Sequence, residues 1–177
     1  MTDPNNSSKS FTKNQTRWST GVEMTENIIQ FKPIGWVKSI VTEPVDVNWG
    51  HIVSEIHLSE SLSPGLHGIS QFSHVLVIFM MHRSTFDPTT DLVRRPQGRQ
   101  NMPKIGIFAQ RAKHRPNPIG ISAVELVEIR QNVLRVKGLD AINGTPVLDL
   151  KPYFPVFDRV EEAVVPEWVD RLMQNYF

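Results

Sequence analysis

The 177-residue sequence contains no cysteine. Disulfides and thiolate zinc sites are therefore excluded, and a reducing, cytoplasmic compartment is expected. Long apolar runs are missing too. No stretch approaches the roughly 18 residues that a membrane-spanning helix needs, and the polar first residues are unlike a secretory signal. The sequence has no glycine-rich dinucleotide or phosphate loop, no H-E-x-x-H and no G-x-S-x-G. Its six histidines, His51, His57, His67, His74, His82 and His114, are scattered without metal-ligand spacing, so no metal is expected. Net charge is only +1.

What remains is 40% hydrophobic and 21% charged residues, the composition of a single globular domain with a sizeable core. Residues 1–28 read as a flexible polar tail, rich in Asn, Ser and Thr, because such a segment buries too little apolar surface to offset its ordering entropy. Phe11 and Trp18 are the groups by which it could dock. From Ile29 the texture changes. "IIQFKPIGWVKSIV", "IVSEIHLSE", "SHVLVIFMMH", "IGIFA", "IGISAVELVEI", "NVLRVKGL" and "PVLDLKPY" are rich in β-branched and aromatic residues and read as about seven short strands. Ser63 and Pro64 mark a turn or two of helix, and "INGTP" carries an Asn-Gly turn signal. Pro166 opens a C-terminal helix with Val169, Leu172, Met173 and Tyr176 at helical spacing. Many strands and few helices give a mainly β domain, a barrel or a sandwich. The missing βαβ alternation argues against a Rossmann-like enzyme.

Charge is unevenly placed. Eight Lys/Arg and two Asp lie between Arg83 and Arg115, while five acids and one Arg lie between Asp158 and Asp170. A neutral chain with one basic stretch suits an anionic partner such as RNA, DNA or a nucleotide, although a solvated loop would read the same way. In "RAKHRPNPIG" four basic residues precede Pro116 and Pro118. The prolines fix φ and push Arg115 and Asn117 into extended conformations, so the loop is stiff. His82 and Arg83 end the most apolar strand, a placement suited to binding a carboxylate or phosphate. Asp140 follows a strand and could accept hydrogen bonds from a ribose or an amino group, or simply form a turn. Asp149, between Leu148 and Leu150, is expected to pair within the fold. Among the aromatics, Trp36 and Phe108 are expected in the core, and Trp49, in the loop "DVNWGH", is expected to face a ligand.

Taken together, "IGIFAQRAKHRPNPIGISAVELVEI", "FKPIGWVKS", "FSHVLVIFMMHR" and "GLDAINGTPVLDLKPY" closely resemble the TsaA-like or TrmO family, with its G-x-F-A-x-R…R-P-N-P-I-G and L-D-x-x-D-G-T-P-x-x-D-I-K-P-Y signatures. The resemblance covers residues 29–157. It implies a small, closed or nearly closed β-barrel that uses S-adenosyl-L-methionine to N6-methylate threonylcarbamoyl-adenosine beside a tRNA anticodon. By position it implies a cofactor site of His82, Arg83, Arg111 and Ala123, with Leu139, Asp140, Ala141 and Ile142 lining it. Asn48, Trp49 and Gly50 would add backbone groups. It also implies a homodimer, with the cofactor pocket near the dimer interface. Arg94, Arg95, Arg99, Lys113 and Arg115 would steer RNA, and Asp140 and His82 are the residues placed to act as a base, without a choice between them.

The sequence departs from the family at Asn143, where Asp is usual, at Gln110, where Thr is common, and in the loop 43–50. It also stops soon after the signature region, whereas some relatives carry a further domain thought to help hold tRNA. Two alternatives therefore stand beside the methyltransferase reading. One is a paralogue that binds S-adenosylmethionine or RNA without this activity. The other is a methyltransferase for a different small substrate.

Overall fold

Proline divides the first expected strand. Pro33 has no amide hydrogen to donate and fixes its own φ, so residues 28–41 do not run as one strand. The computed structural model describes residues 22–25, 28–46 and 48–177, and the side chains of 22–25 are outside that description. In it, β1 (Val22–Thr25) pairs antiparallel with β2 (Ile28–Phe31) as a two-stranded unit, and the chain resumes after Pro33 as β3 (Gly35–Lys38). Strand β1 falls within the segment expected to be a polar tail. Residues 1–21, with Phe11 and Trp18, lie outside the described residues.

The larger unit is built on alternation, which sends successive side chains to opposite faces of a strand. In β4 (Val53–Leu58) the inward residues are Ser54, Ile56 and Leu58, and in β5 (His74–Met80) they are Val75, Val77 and Phe79. After α1 (Pro88–Asp91), β6 (Val93–Arg94) pairs with β7 (Ile105–Gly106) as a small separate ladder. Next come the 12-residue β8 (Ile119–Arg130), β9 (Val133–Lys137) and β10 (Pro146–Pro152). Helix α2 (Pro155–Asp158) and helix α3 (Trp168–Met173) end the chain.

Six of these strands close into an antiparallel barrel in the order β10-β3-β4-β9-β8-β5. Closure leaves no unpaired edge, which is how a small all-β domain avoids edge-to-edge association. The count of about seven barrel strands is thus corrected to six. "IGIFA" supplies only the two residues of β7 before a 3-10 turn at Ile107–Ala109, and residues 28–31 pair elsewhere. The Asn-Gly turn does not join neighbouring strands either, since β9 and β10 are not adjacent in the barrel. Instead Asn143 N donates to Val41 O at 2.7 Å and Gly144 N to Val37 O at 2.8 Å, fastening the turn to β3.

The barrel interior is filled by Ile56, Val75, Val77, Leu134, Val136, Leu139 and Val147, all fully buried. Each such side chain contributes about 1.5–3 kcal/mol relative to an exposed one. Gly120, in the "RPNPIG" signature, has a packing reason: a Cβ there would collide with the buried Phe79 ring across the β5–β8 ladder. The turn or two of helix expected at Ser63 and Pro64 is a 3-10 helix, Glu60–Leu66. The surface aromatics follow from the pleat. Burial of Gly35 and Val37 turns Trp36 outward, 53% exposed, which corrects its expected place in the core.

Candidate functional site

The stiff loop after β7 is clamped to the end of β5. Gln110 is buried, and its side-chain amide donates to Arg94 O and Ile105 O, both at 3.0 Å. That staples the excursion 88–106 to the signature loop. Met81 N donates to Pro118 O at 2.7 Å, Ser84 Oγ donates to Lys113 O, and His114 Nδ1 lies 2.7 Å from Thr85 O. The prolines thus hold residues 81–85 and 113–118 at a fixed spacing. His82 and Arg83 are exposed within that clamp. Arg83 reaches across to the loop before Trp49, its Nη1 donating to Thr42 O at 2.9 Å and to Glu43 Oε1 at 3.0 Å.

Arg111 is exposed, and its guanidinium donates to Ile121 O on β8 at 2.6 Å. The next β8 residue, Ser122, is buried and donates its hydroxyl to Asp140 Oδ1. Asp140 sits just beyond β9, after Gly138 takes φ 87° to turn the chain. Its neighbours Leu139, Ala141 and Ile142 are buried, so they fix the segment and offer a ligand only backbone. The Asp140 side chain is half-buried, and its second oxygen accepts from Tyr176 Oη at 2.9 Å.

Tyr176 is the unexpected member. Its spacing assigned it to the apolar stripe of the C-terminal helix, but α3 ends at Met173 and Tyr176 lies beyond. The segment that carries it docks on the loop after β3. Asn48 N donates to Asn175 O at 2.9 Å and Trp49 N to Tyr176 O at 2.8 Å. Gly50 lies so close to Phe177 that a Cβ on it would come within 2.7 Å of the Phe177 carbonyl carbon. Burial pushes the Tyr176 phenol well above its ordinary pKa, and the charges of Asp140 and Asp46 and the bond to Asp140 add to that while Arg111 opposes it. The phenol is therefore a fixed hydrogen-bond donor at neutral pH.

Two aromatic expectations are reversed here. Trp49 is only 2% exposed, with its indole N–H donating to Val45 O at 3.1 Å, its amide to Tyr176 O at 2.8 Å and its carbonyl accepting from Ile52 N at 3.0 Å, so its ring is unavailable to a ligand and its backbone is already paired within the fold. Phe108 is 78% exposed, because the 3-10 turn at Ile107–Ala109 buries Ile107 and leaves its neighbour in solvent. Asn143, the departure from the signature, accepts from Ser39 N at 3.2 Å through its side-chain oxygen, a role a carboxylate would fill equally well. Asp149 pairs with Lys151 at 2.6 Å beside the bulge in β10.

Through these contacts the structure brings together Asn48–Gly50, Arg111 and Asp140, and it holds Ala123 on β8 one residue from Ser122. Arg83 joins through the loop 42–50, with His82 beside it. Sequence reasoning missed Ser122, Gln110 and Tyr176. The arrangement anchors one carboxylate, Asp140, and one exposed guanidinium, Arg111, on successive residues of β8. Among the described residues no group of three or more His, Asp or Glu could hold a metal ion.

The basic residues divide. Arg94 is half-buried with its guanidinium 3.5 Å from Asp91, Arg95 donates to Met102 O, and Arg115 donates to Gln110 O at 3.4 Å. These three hold the loop excursion. Arg99 is exposed with its guanidinium 3.5 Å from Arg171 O, and Lys113 is half-buried. A surface depression lined by Gln100, Asn101, Met102, Pro103, Glu167, Trp168 and Arg171 contains none of the residues expected at the cofactor site.

Residues 42–159 match the tRNA-methyltransferase O N-terminal domain family. A probable S-adenosyl-L-methionine-binding protein of Pyrococcus abyssi is 40% identical over 149 residues, covering 81% of this chain and 78% of its own. The tRNA (adenine(37)-N6)-methyltransferase of Escherichia coli is 34% identical over 145 residues, covering 76% of this chain and 61% of its own. Among solved structures, the crystal structure of TrmO from Pseudomonas aeruginosa superposes with a TM-score of 0.63 at 31% identity, covering 80% of this chain. The match spans 62% of the length of that TrmO chain.

Proposed function

This chain belongs to the tRNA-methyltransferase O N-terminal domain family, and from that membership we propose that it is an S-adenosylmethionine-dependent methyltransferase acting on N6 of an adenine in tRNA. The finer reading of its acceptor is threonylcarbamoyl-adenosine beside the anticodon. One observation carries the proposal. Two residues that the signatures assign to the methyl donor, Arg111 and Asp140, lie far apart in sequence and are tied by hydrogen bonds to the successive β8 residues Ile121 and Ser122.

The donor set fits a zwitterionic amino acid bearing a sulfonium. Such a molecule needs an anionic acceptor for its cationic and hydroxyl groups and a cationic partner for its carboxylate. Asp140 and Arg111 supply one of each, the first bonded to Ser122 and the second to the carbonyl of its neighbour Ile121. When bound, the donor supplies a methyl group activated for in-line displacement. The protein's part is orientation. Asp140 is held through both oxygens, so its remaining lone pairs point in fixed directions. That double engagement suits it to binding more than to taking a proton. Arg111 makes one hydrogen bond to a backbone oxygen and keeps its other donors for a ligand.

Arg99 and Lys113 are the residues we assign to RNA phosphates, because Arg94, Arg95 and Arg115 are half-buried and held within the loop, whereas Arg99 is exposed and makes one long contact, 3.5 Å to Arg171 O. Arg99→Ala combined with Lys113→Ala should lower the slope of log affinity for tRNA against log salt by about two, leaving donor affinity unchanged. An unaltered slope would move the RNA path elsewhere on the surface.

A homodimer belongs to the same reading. The outer face of the β5–β8 ladder is apolar, pairing Met80 with Ile119 and Ile78 with Ile121. Met80, Ile119 and Ile121 are 38%, 41% and 48% exposed. Ala123 lies on this face opposite Leu76, next to the donor residues. Sedimentation should give twice the 20.2 kDa mass of the chain, and a monomer would rule this face out as a self-interface.

The function itself is tested by calorimetry with S-adenosylmethionine followed by transfer of labelled methyl into bulk tRNA. Binding and transfer are expected. The naming of archaeal relatives as S-adenosylmethionine-binding proteins favours the second reading, a binding module, and binding without transfer would establish it. No binding would remove the methyltransferase and leave only the RNA-binding form of the second reading.

A further inference from the structure

Asp140 has a partner that none of the signatures contains. The segment 175–177 crosses the loop 48–50, using the backbone amides of Asn48 and Trp49 and packing against Gly50. It thereby delivers the Tyr176 phenol to within 2.9 Å of Asp140 Oδ2. Ser122 holds the other oxygen. A single bond would leave the carboxylate free to rotate about its side-chain torsion. Two donors, one from β8 and one from the C-terminal segment, fix its plane.

We propose that Tyr176 is a positioning residue for the methyl-donor site, orienting Asp140 toward the bound donor while residues 175–177 hold the loop 48–50 in its binding conformation. This rests on the assignment of Asp140 to that site made above. The same two interactions explain why the loop 48–50 can be built around a left-handed residue, Asn48 at φ 61°. The amides of Asn48 and Trp49 are satisfied by the carbonyls of Asn175 and Tyr176, so the docked segment fixes the backbone of the loop. Burial of the phenol keeps it protonated, so it donates at any pH at which the protein would work.

The test is a double-mutant cycle on donor affinity with Tyr176→Phe, Asp140→Asn and the pair, read by calorimetry with S-adenosylmethionine on the full chain, with melting temperatures in parallel. Tyr176→Phe keeps the ring and removes only the hydroxyl. It should raise Kd about tenfold, the loss expected for one hydrogen bond to a charged group. In the Asp140→Asn background the same change should cost less than about threefold, because the carboxylate it orients is gone. Gly50→Ala, which forces Phe177 away, should weaken the donor in the same way by moving the whole segment. A lowered melting temperature with unchanged Kd in Tyr176→Phe would mean a merely structural role and would overturn the proposal. Equal losses in both backgrounds would overturn it as well. If the unsubstituted protein binds no S-adenosylmethionine, the donor assignment fails and this proposal falls with it.

Discussion

Asp140→Ala is expected to weaken S-adenosylmethionine binding by two orders of magnitude or more, with transfer to RNA lost in step. The size follows from what the carboxylate does. It is half-buried, it accepts from Ser122 and Tyr176, and the β8 residue before Ser122 accepts from Arg111. Each hydrogen bond to a charged group is worth about 1.5–3 kcal/mol, and truncation forfeits those to the ligand while leaving the Ser122 hydroxyl and the Tyr176 phenol without their acceptor. Asp140→Asn should fall between the two, since an amide keeps one acceptor oxygen. Stability should fall too, by about 1–3 kcal/mol for the orphaned donors, so affinities are to be compared below the melting transition. Retained affinity in Asp140→Ala would place the donor elsewhere on the barrel.

Arg111→Ala is expected to act differently. The side chain is exposed and makes one bond, to Ile121 O, so its removal should move the melting temperature by no more than about 2 °C, the range of a surface substitution. Donor affinity should fall by about 10- to 100-fold through loss of a charge-assisted contact to the carboxylate. Arg111→Lys should recover only part of it, because a point charge cannot reproduce a planar fork. Calorimetry and thermal melts on the same samples separate the two effects. A large thermal shift with unchanged affinity would make Arg111 a structural clamp on β8.

The barrel strands were legible wherever alternation or an unbroken β-branched run marked them, as in β4, β5 and β8. Barrel closure was not, because register between distant strands is a tertiary fact: β10 pairs with β3 and β5, not with its chain neighbour β9. Pro33 announced a break, but the sequence alone did not say that residues 28–31 would pair with Val22–Thr25.

In the site, Arg111 and Asp140 stood out through signature motifs. Ser122 looked like one more strand residue, and its inward position became meaningful only once Asp140 was placed opposite it. Tyr176 was disguised by helical spacing, since Val169 and Leu172 share its period although the helix stops three residues before it. Trp49 misled for the reverse reason. Loop aromatics are often solvent-facing, but here a short turn and the docked C-terminal segment bury it. Gln110 read as a departure from the family pattern, yet its two amide bonds hold the basic excursion in place.

The most direct test of the account is nucleoside mass spectrometry of tRNA incubated with the protein and methyl-labelled S-adenosylmethionine. One labelled methyl is expected on N6 of an adenosine that carries the threonylcarbamoyl group, and no label when Asp140→Ala replaces the unsubstituted chain. Label at any other nucleoside, or none above the Asp140→Ala control, would contradict it.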